Sequence, residues 1–164
     1  MITLHPPTTP ATPTLIDPRG PRFAAALSAV ILAAALLAGP AWGLPLVVLQ
    51  AVAFGAGSLL GLRFQPYGWL FRRFVRPRLA DPAELEDERP PRFAQGVGLG
   101  FAALALLGAL TGLTWLFLVA VAFALVAALL NAVFDFCLGC ELYLLGRRVL
   151  GRPALAATAG EAAR

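Results

Sequence analysis

Lysine is absent from this 164-residue chain, and His5 is its only histidine. The first absence excludes Schiff-base chemistry and a phosphate-binding loop built on lysine. The second removes histidine-based acid–base catalysis, zinc sites with histidine ligands and histidine-ligated haem. Serine occurs only as Ser28 and Ser58, both inside apolar runs, so a serine hydrolase is not expected. No glycine-rich phosphate motif sits at a strand–helix junction. Charge is also scarce: 13% of residues carry it, about half the usual share of a soluble domain.

The charge is missing most completely from two stretches. No Asp, Glu, Lys or Arg occurs from 23 to 62 (40 residues) or from 93 to 134 (42 residues). Roughly 20 apolar residues cross a bilayer, so each stretch fits two spans and a tight turn. With 59% hydrophobic residues and a mean hydropathy of +0.78, the chain reads as a membrane protein. The net charge of +4 would suit nucleic acid. However, the arginines flank apolar runs, where they set topology, and a nucleic-acid partner is not expected.

Residues 1–18 carry Pro6, Pro7, Pro10, Pro13 and Pro18 among several threonines and read as a disordered tail. A membrane domain over 19–152 follows, then a flexible Ala-rich tail over 153–164. Its spans are expected near Phe23–Ala38, Leu44–Leu62, Phe93–Leu110 and Thr114–Phe134, the last pattern running on towards Leu145. Gly39-Pro40-Ala41-Trp42 is a poor cleavage site, so the first span is not expected to be a removed signal. Phe64 to Val75 mixes aromatics with arginine, the pattern of an amphipathic helix in the headgroup region. The turns near 39–43 and 111–114 carry no charge, whereas Arg19, Arg22, the arginine-rich middle segment, Arg147, Arg148 and Arg152 lie at the other ends. That bias puts both termini in the cytosol of an inner-membrane, multi-pass protein.

The halves 17–77 and 87–153 resemble each other. Asp17-Pro18-Arg19-Gly20-Pro21-Arg22-Phe23-Ala24 matches Asp87-Glu88-Arg89-Pro90-Pro91-Arg92-Phe93-Ala94, and Phe71-Arg72-Arg73 is answered by Gly146-Arg147-Arg148. The expected fold is all-α: four transmembrane helices as two tandem hairpins, with a pseudo-twofold along the membrane normal, plus the interfacial helix. Under that symmetry Pro66-Tyr67-Gly68 falls across from Cys137-Leu138-Gly139-Cys140.

Cys137 and Cys140 are the only cysteines and form C-x-x-C. Three readings compete for them: a redox or sulfur-relay dithiol, small inert packing residues, or a metal site. For the last, two thiolates with Glu141 fall short of four ligands. A cytosol-facing pair would be reduced at rest, with any disulfide transient or catalytic. Arg147 and Arg148 would lower the thiol pKa, whereas Asp135 and Glu141 would raise it. Asn131 and Asp135 share one helix face, either as functional polar groups or as interfacial and interhelical partners. On a straight helix that face points away from Cys140, and a joint site needs a break near Gly139.

These residues resemble a bacterial membrane family known as domain of unknown function 4395. The resemblance covers roughly 15–152 and rests on Ile16-Asp17-Pro18-Arg19, Arg22-Phe23, Pro66-Tyr67-Gly68, Pro91-Arg92-Phe93-Ala94-Gln95, Asn131 and Phe136-Cys137-Leu138-Gly139-Cys140-Glu141. It implies sulfur or redox handling with a thioredoxin-like or rhodanese-like partner. The expected function is thiol–disulfide or sulfur-relay activity at Cys137 and Cys140, supported by Asn131, Asp135, Glu141, Tyr67, Pro66 and Gly68, with no cofactor or metal. The alternatives are a transporter or channel-like module for a small sulfur species, or a structural membrane partner without chemistry.

Overall fold

The computed structural model describes residues 14–82 and 84–150. Within them lie two short strands, β1 (Leu15–Ile16) and β2 (Glu86–Asp87), and five α-helices. The helices are α1 (Arg19–Gly55), α2 (Pro66–Leu70), α3 (Arg89–Thr111), α4 (Thr114–Phe134) and α5 (Leu138–Val149). Of the expected tails over 1–18 and 153–164, residues 1–13 and 153–164 lie outside the described residues.

α1 runs on through a π-helical turn, Ala56–Leu60. It is broken at Gly39, whose φ of 71° and ψ of −178° are non-helical. Glycine takes that conformation without a Cβ clash, and Pro40 starts the next limb with a fixed φ and no donor to satisfy. The two limbs fold back on each other. Ala24 and Ala53 share one buried cluster with Tyr67, although 29 residues of straight helix would separate them by about 44 Å. A Cβ on Gly43 would lie 2.5 Å from the Ala35 carbonyl oxygen and 3.1 Å from the Phe117 ring.

Among the described residues, three helices are long and apolar enough to cross a membrane: Arg19–Leu60, Arg89–Thr111 and Thr114–Phe134. This corrects the expected four separate spans, two tandem hairpins and pseudo-twofold. The first two expected spans fall in one 42-residue apolar element, two helical limbs joined directly at Gly39 with no loop between them. Over the expected interfacial helix, Phe64 to Val75, the backbone is helical from Pro66 to Val75, with its turns changing in tightness. Residues 62–78 form a chain of short turns: a 3₁₀ turn at Leu62–Phe64, α2, a π turn at Phe71–Val75 and a 3₁₀ turn at Arg76–Arg78. Pro66 opens this stretch at a first helical position, where its missing N–H costs nothing.

The core joins α1, α3 and α4 through Leu32, Ala35, Val47, Ala105, Phe117 and Val121, all at most 2% exposed. Small residues let these helices approach closely in lipid, where dispersion contacts replace the hydrophobic effect. Large apolar side chains such as Leu37, Leu110 and Phe123 point outward, as lipid-facing positions do. The chain is a multi-pass membrane protein.

The charged residues collect at one end of this bundle. Arg22 donates from Nε to the Ala132 carbonyl at 3.1 Å and from Nη2 to the Val133 carbonyl at 3.5 Å. Arg92 donates to the Ser58 and Leu59 carbonyls at 2.7 and 2.9 Å. Each arginine, near the start of its own helix, thus satisfies carbonyls that the end of another helix leaves free. Asp17 accepts from the backbone and side chain of Arg19, and Arg76 approaches it at 3.8 Å. The hydrogen bond from Arg19 holds the Asp17 carboxyl below the usual carboxylate range. This ties β1, and through it β2, to the arginine-rich segment.

Candidate functional site

α4 ends at Asp135, which adopts the left-handed conformation with φ 57°. Asp tolerates this better than most residues because its short side chain fits the turn. The amides of Asp135 and Phe136 both donate to the Leu130 carbonyl, closing the helix end. The chain therefore breaks at Asp135, four residues before the Gly139 break that a joint site was expected to need.

Cys137 is the N-cap of α5, and its Sγ accepts the Cys140 amide at 3.3 Å. Cys137 and Cys140 are joined by a disulfide, with their Cα atoms 5.2 Å apart. The two cysteines are thus placed so that they can form a disulfide. Glu141 lies exposed in the first turn of α5, and Arg147 and Arg148 in its last turn. That order of charge complements the helix dipole. Among the described residues, no group of three or more His, Cys, Asp or Glu stands close enough to hold a metal ion.

Gly139 presses α5 onto α3. A Cβ there would sit 2.6 Å from the Ala94 Cβ and 2.7 Å from its Cα. Phe93 and Tyr143 continue the contact, with ring centroids 5.8 Å apart. On the other side, Arg22 anchors the end of α4 by its two carbonyl bonds and a 3.7 Å approach to Asp135.

Under the cysteine turn lies a cavity of about 130 Å³, lined by Ser28, Phe54, Gln95, Phe123, Asn131 and Cys137 among others. The bend at Asp135 thus places Asn131 and Cys137 on one wall. Asp135 is exposed and engages Arg22 instead. Tyr67 is buried beside α1, and its hydroxyl donates to Gln50 Oε1 at 2.5 Å. Burial pushes the Tyr67 phenol up. Pro66 is the first residue of α2, and the Gly68 amide donates to Gln65 Oε1. Neither Pro66, Tyr67 nor Gly68 lines the cysteine cavity.

A family model described as "Domain of unknown function (DUF4395)" matches residues 16–148, which includes the cysteine turn and nearly all of α5. The chain belongs to this family. The DUF4395 family is generally described as a bacterial membrane protein family of unknown function. No curated protein and no solved structure matches the chain.

The DUF4395 chain also carries polar residues that hydropathy alone passes over. Gln50 is fully buried and Gln65 is 2% exposed. Gln50 Nε2, Gln65 Nε2 and Gln95 Oε1 are buried and have no hydrogen-bond partner among the described residues. A lone glutamine within or beside an apolar run was the available signal, since a polar side chain at membrane depth needs a reason to be there. The pairing of Gln50 with Tyr67 is testable. Tyr67→Phe removes the one donor to Gln50 and leaves both ends of a buried amide unpaired. The variant should lose about 1–3 kcal/mol of stability, measured by denaturant titration in micelles. Adding Gln50→Leu should return most of it; equal stability of Tyr67→Phe and wild type would remove the pair's significance.

Proposed function

We propose that this protein exchanges disulfides, or relays sulfur, through Cys137 and Cys140 at the charged end of an inner-membrane bundle. The observation that carries this reading is the bonded pair at the start of α5, with Cys137 Sγ accepting the Cys140 amide. A sulfur at a helix N-terminus is stabilised as thiolate by the amides and the dipole. Cys137 is then the better leaving group. A partner thiolate attacks Cys140 Sγ, the intramolecular S–S bond breaks, and Cys137 departs as thiolate. The partner's second thiol loses its proton and attacks its own sulfur in the mixed disulfide. Cys140 is released as thiolate and takes up a proton, so the partner dithiol is oxidised and this pair reduced.

A thioredoxin-like protein is the partner that suits dithiol exchange, and a rhodanese-like protein the one that suits sulfane sulfur. The arginine bias places both termini and the cysteines on the cytosolic side. In membranes the pair should titrate against glutathione as one reversible two-electron step, read by maleimide labelling. With its remaining thiol pre-activated as the thionitrobenzoate mixed disulfide, Cys137→Ser should transfer to a thioredoxin-like partner lacking its resolving cysteine, releasing thionitrobenzoate and holding a stable mixed disulfide, and Cys140→Ser should do so much less. A pair that never reduces under thiol excess, with no adduct on either variant, would leave the cysteines as a structural staple.

A further inference from the structure

A second cavity, of about 550 Å³, opens at the charged end, and Cys137 and Cys140 are not in its wall. Arg63, Gln65, Arg72, Arg76, Glu88 and Gln95 belong to that wall, with Asp17 beside them. Three of these are cations. Arg76 lies near Asp17, which Arg19 already engages. Arg72 is different: its guanidinium is directed to the carbonyls of Leu62 and Arg63, and no carboxylate pairs with it among the described residues. Burial pulls its pKa down, as expected for a cation removed from water without a counter-charge. Arg63 packs over the Phe64 ring at 4.5 Å and likewise has no carboxylate partner among the described residues.

The wall also holds one unpaired donor and one unpaired acceptor. Gln65 Oε1 is committed to the Gly68 amide, which fixes the side-chain orientation and leaves Nε2 buried and unpartnered. Gln95 Oε1 is the acceptor. Gly57 makes room for both: a Cβ there would lie 3.0 Å from Gln95 Cγ and 3.1 Å from Gln65 Cγ. An unpaired buried amide is unfavourable, and a desolvated cation adds to that. A ligand bearing anionic oxygens for Arg63, Arg72 and Gln65, and a hydroxyl for Gln95, relieves all of these at once.

We propose that this cavity binds a phosphate-type tetrahedral oxyanion, either free in solution or as the headgroup of an anionic lipid. Gln65 Nε2 and the Arg63 and Arg72 guanidiniums hold the oxyanion, and Gln95 Oε1 accepts from its hydroxyl. Charge-assisted bonds of this kind are the strong ones in a partly desolvated site. Gln95 borders both cavities, but neither cysteine is in the wall of this one, so Cys137→Ser should bind as wild type does.

The decisive variant is Gln65→Glu. It keeps the oxygen that caps Gly68 and turns the unpaired donor into an acceptor with negative charge. Full-length protein in neutral micelles is titrated with inorganic phosphate against chloride at equal ionic strength, read calorimetrically. In parallel, it is reconstituted in nanodiscs of phosphatidylglycerol or of phosphatidylcholine and its thermal midpoint compared. Saturable phosphate binding that weakens at least tenfold in Gln65→Glu and in Arg63→Gln supports the site and identifies the free anion. No phosphate binding, but a thermal shift specific to phosphatidylglycerol and lost in both variants, supports the site and identifies the lipid. No response in either arm, or wild-type responses from both variants, overturns it. Should Gln65→Glu fail to fold, the exposed position Arg63 decides alone.

Discussion

Gly139→Ala will lift α5 away from α3 and disturb the cysteine turn. The added methyl would lie 2.6 Å from the Ala94 Cβ and 2.7 Å from its Cα. Neither atom can rotate aside, because Cα is backbone and alanine has no rotamers. The clash must be relieved by moving a helix, and overpacking of that kind costs about 1–3 kcal/mol. α5 has few contacts with α4, so the movement falls on the N-terminus of α5, where Cys137 caps Cys140. The expected result is a lower unfolding midpoint together with faster maleimide labelling of the reduced pair. Ala94→Gly in the same chain removes the opposing methyl but leaves the 2.7 Å approach to Cα, so it should restore only part of both. If Gly139→Ala labels and unfolds as wild type does, the close approach of α5 to α3 does not hold the cysteine turn.

Gly108→Val should be at least as damaging, at the other end of the bundle. A Cβ at Gly108 would meet the Phe117 amide nitrogen at 2.6 Å and the Leu113 carbonyl oxygen at 3.0 Å. Those atoms belong to the start of α4, so α3 and α4 touch backbone to backbone there. Gly112 makes that approach possible by ending α3 in the left-handed conformation, with φ 75°. A branched side chain at Gly108 must open the hairpin and displace Phe117, which is fully buried. The loss should reach about 3 kcal/mol, the upper part of the overpacking range. Gly100→Ala supplies the comparison. Nothing lies within 4 Å of its Cβ position, and alanine in a helix gains about 0.5–1 kcal/mol over glycine. Both variants are read by the same denaturant titration in micelles. Equal effects at the two glycines would mean that helix propensity, not backbone contact, governs α3.

Apolar stretches reveal the membrane class because lipid contact is a property of composition. They do not reveal how many helices result. Gly39-Pro40 reads as the end of one span, yet the helix resumes after one residue, so the expected first pair became a single broken element. The apolar run stops at Phe134, but the helical pattern runs on towards Leu145, so the end of α4 was not legible. Nor was the bend itself, because Asp135 is a non-glycine residue with positive φ, which sequence signals seldom mark. Gly139 looked like the natural hinge. Its role is instead close packing on Ala94, which depends on which helices meet and is invisible in one strand of text. Cys137 and Cys140 were conspicuous by their rarity, whereas the unpaired amides of Gln50, Gln65 and Gln95 needed coordinates.

The crossed arginine contacts bear on how the chain matures. Ser58 and Leu59 leave the ribosome before Arg92, the residue that satisfies their carbonyls, has been made. Arg22 emerges early, but its carbonyl partners at Ala132 and Val133 come 110 and 111 residues later. An N-terminal fragment therefore cannot close its own helix end, and a chain stopped before α4 leaves Arg22 with nothing to hold. Insertion becomes complete only when the last span arrives, and the contact that completes it is the one that fixes the cysteine turn. Quality control at the membrane would meet an unfinished chain as exposed polar backbone, before any thiol chemistry had a place to occur.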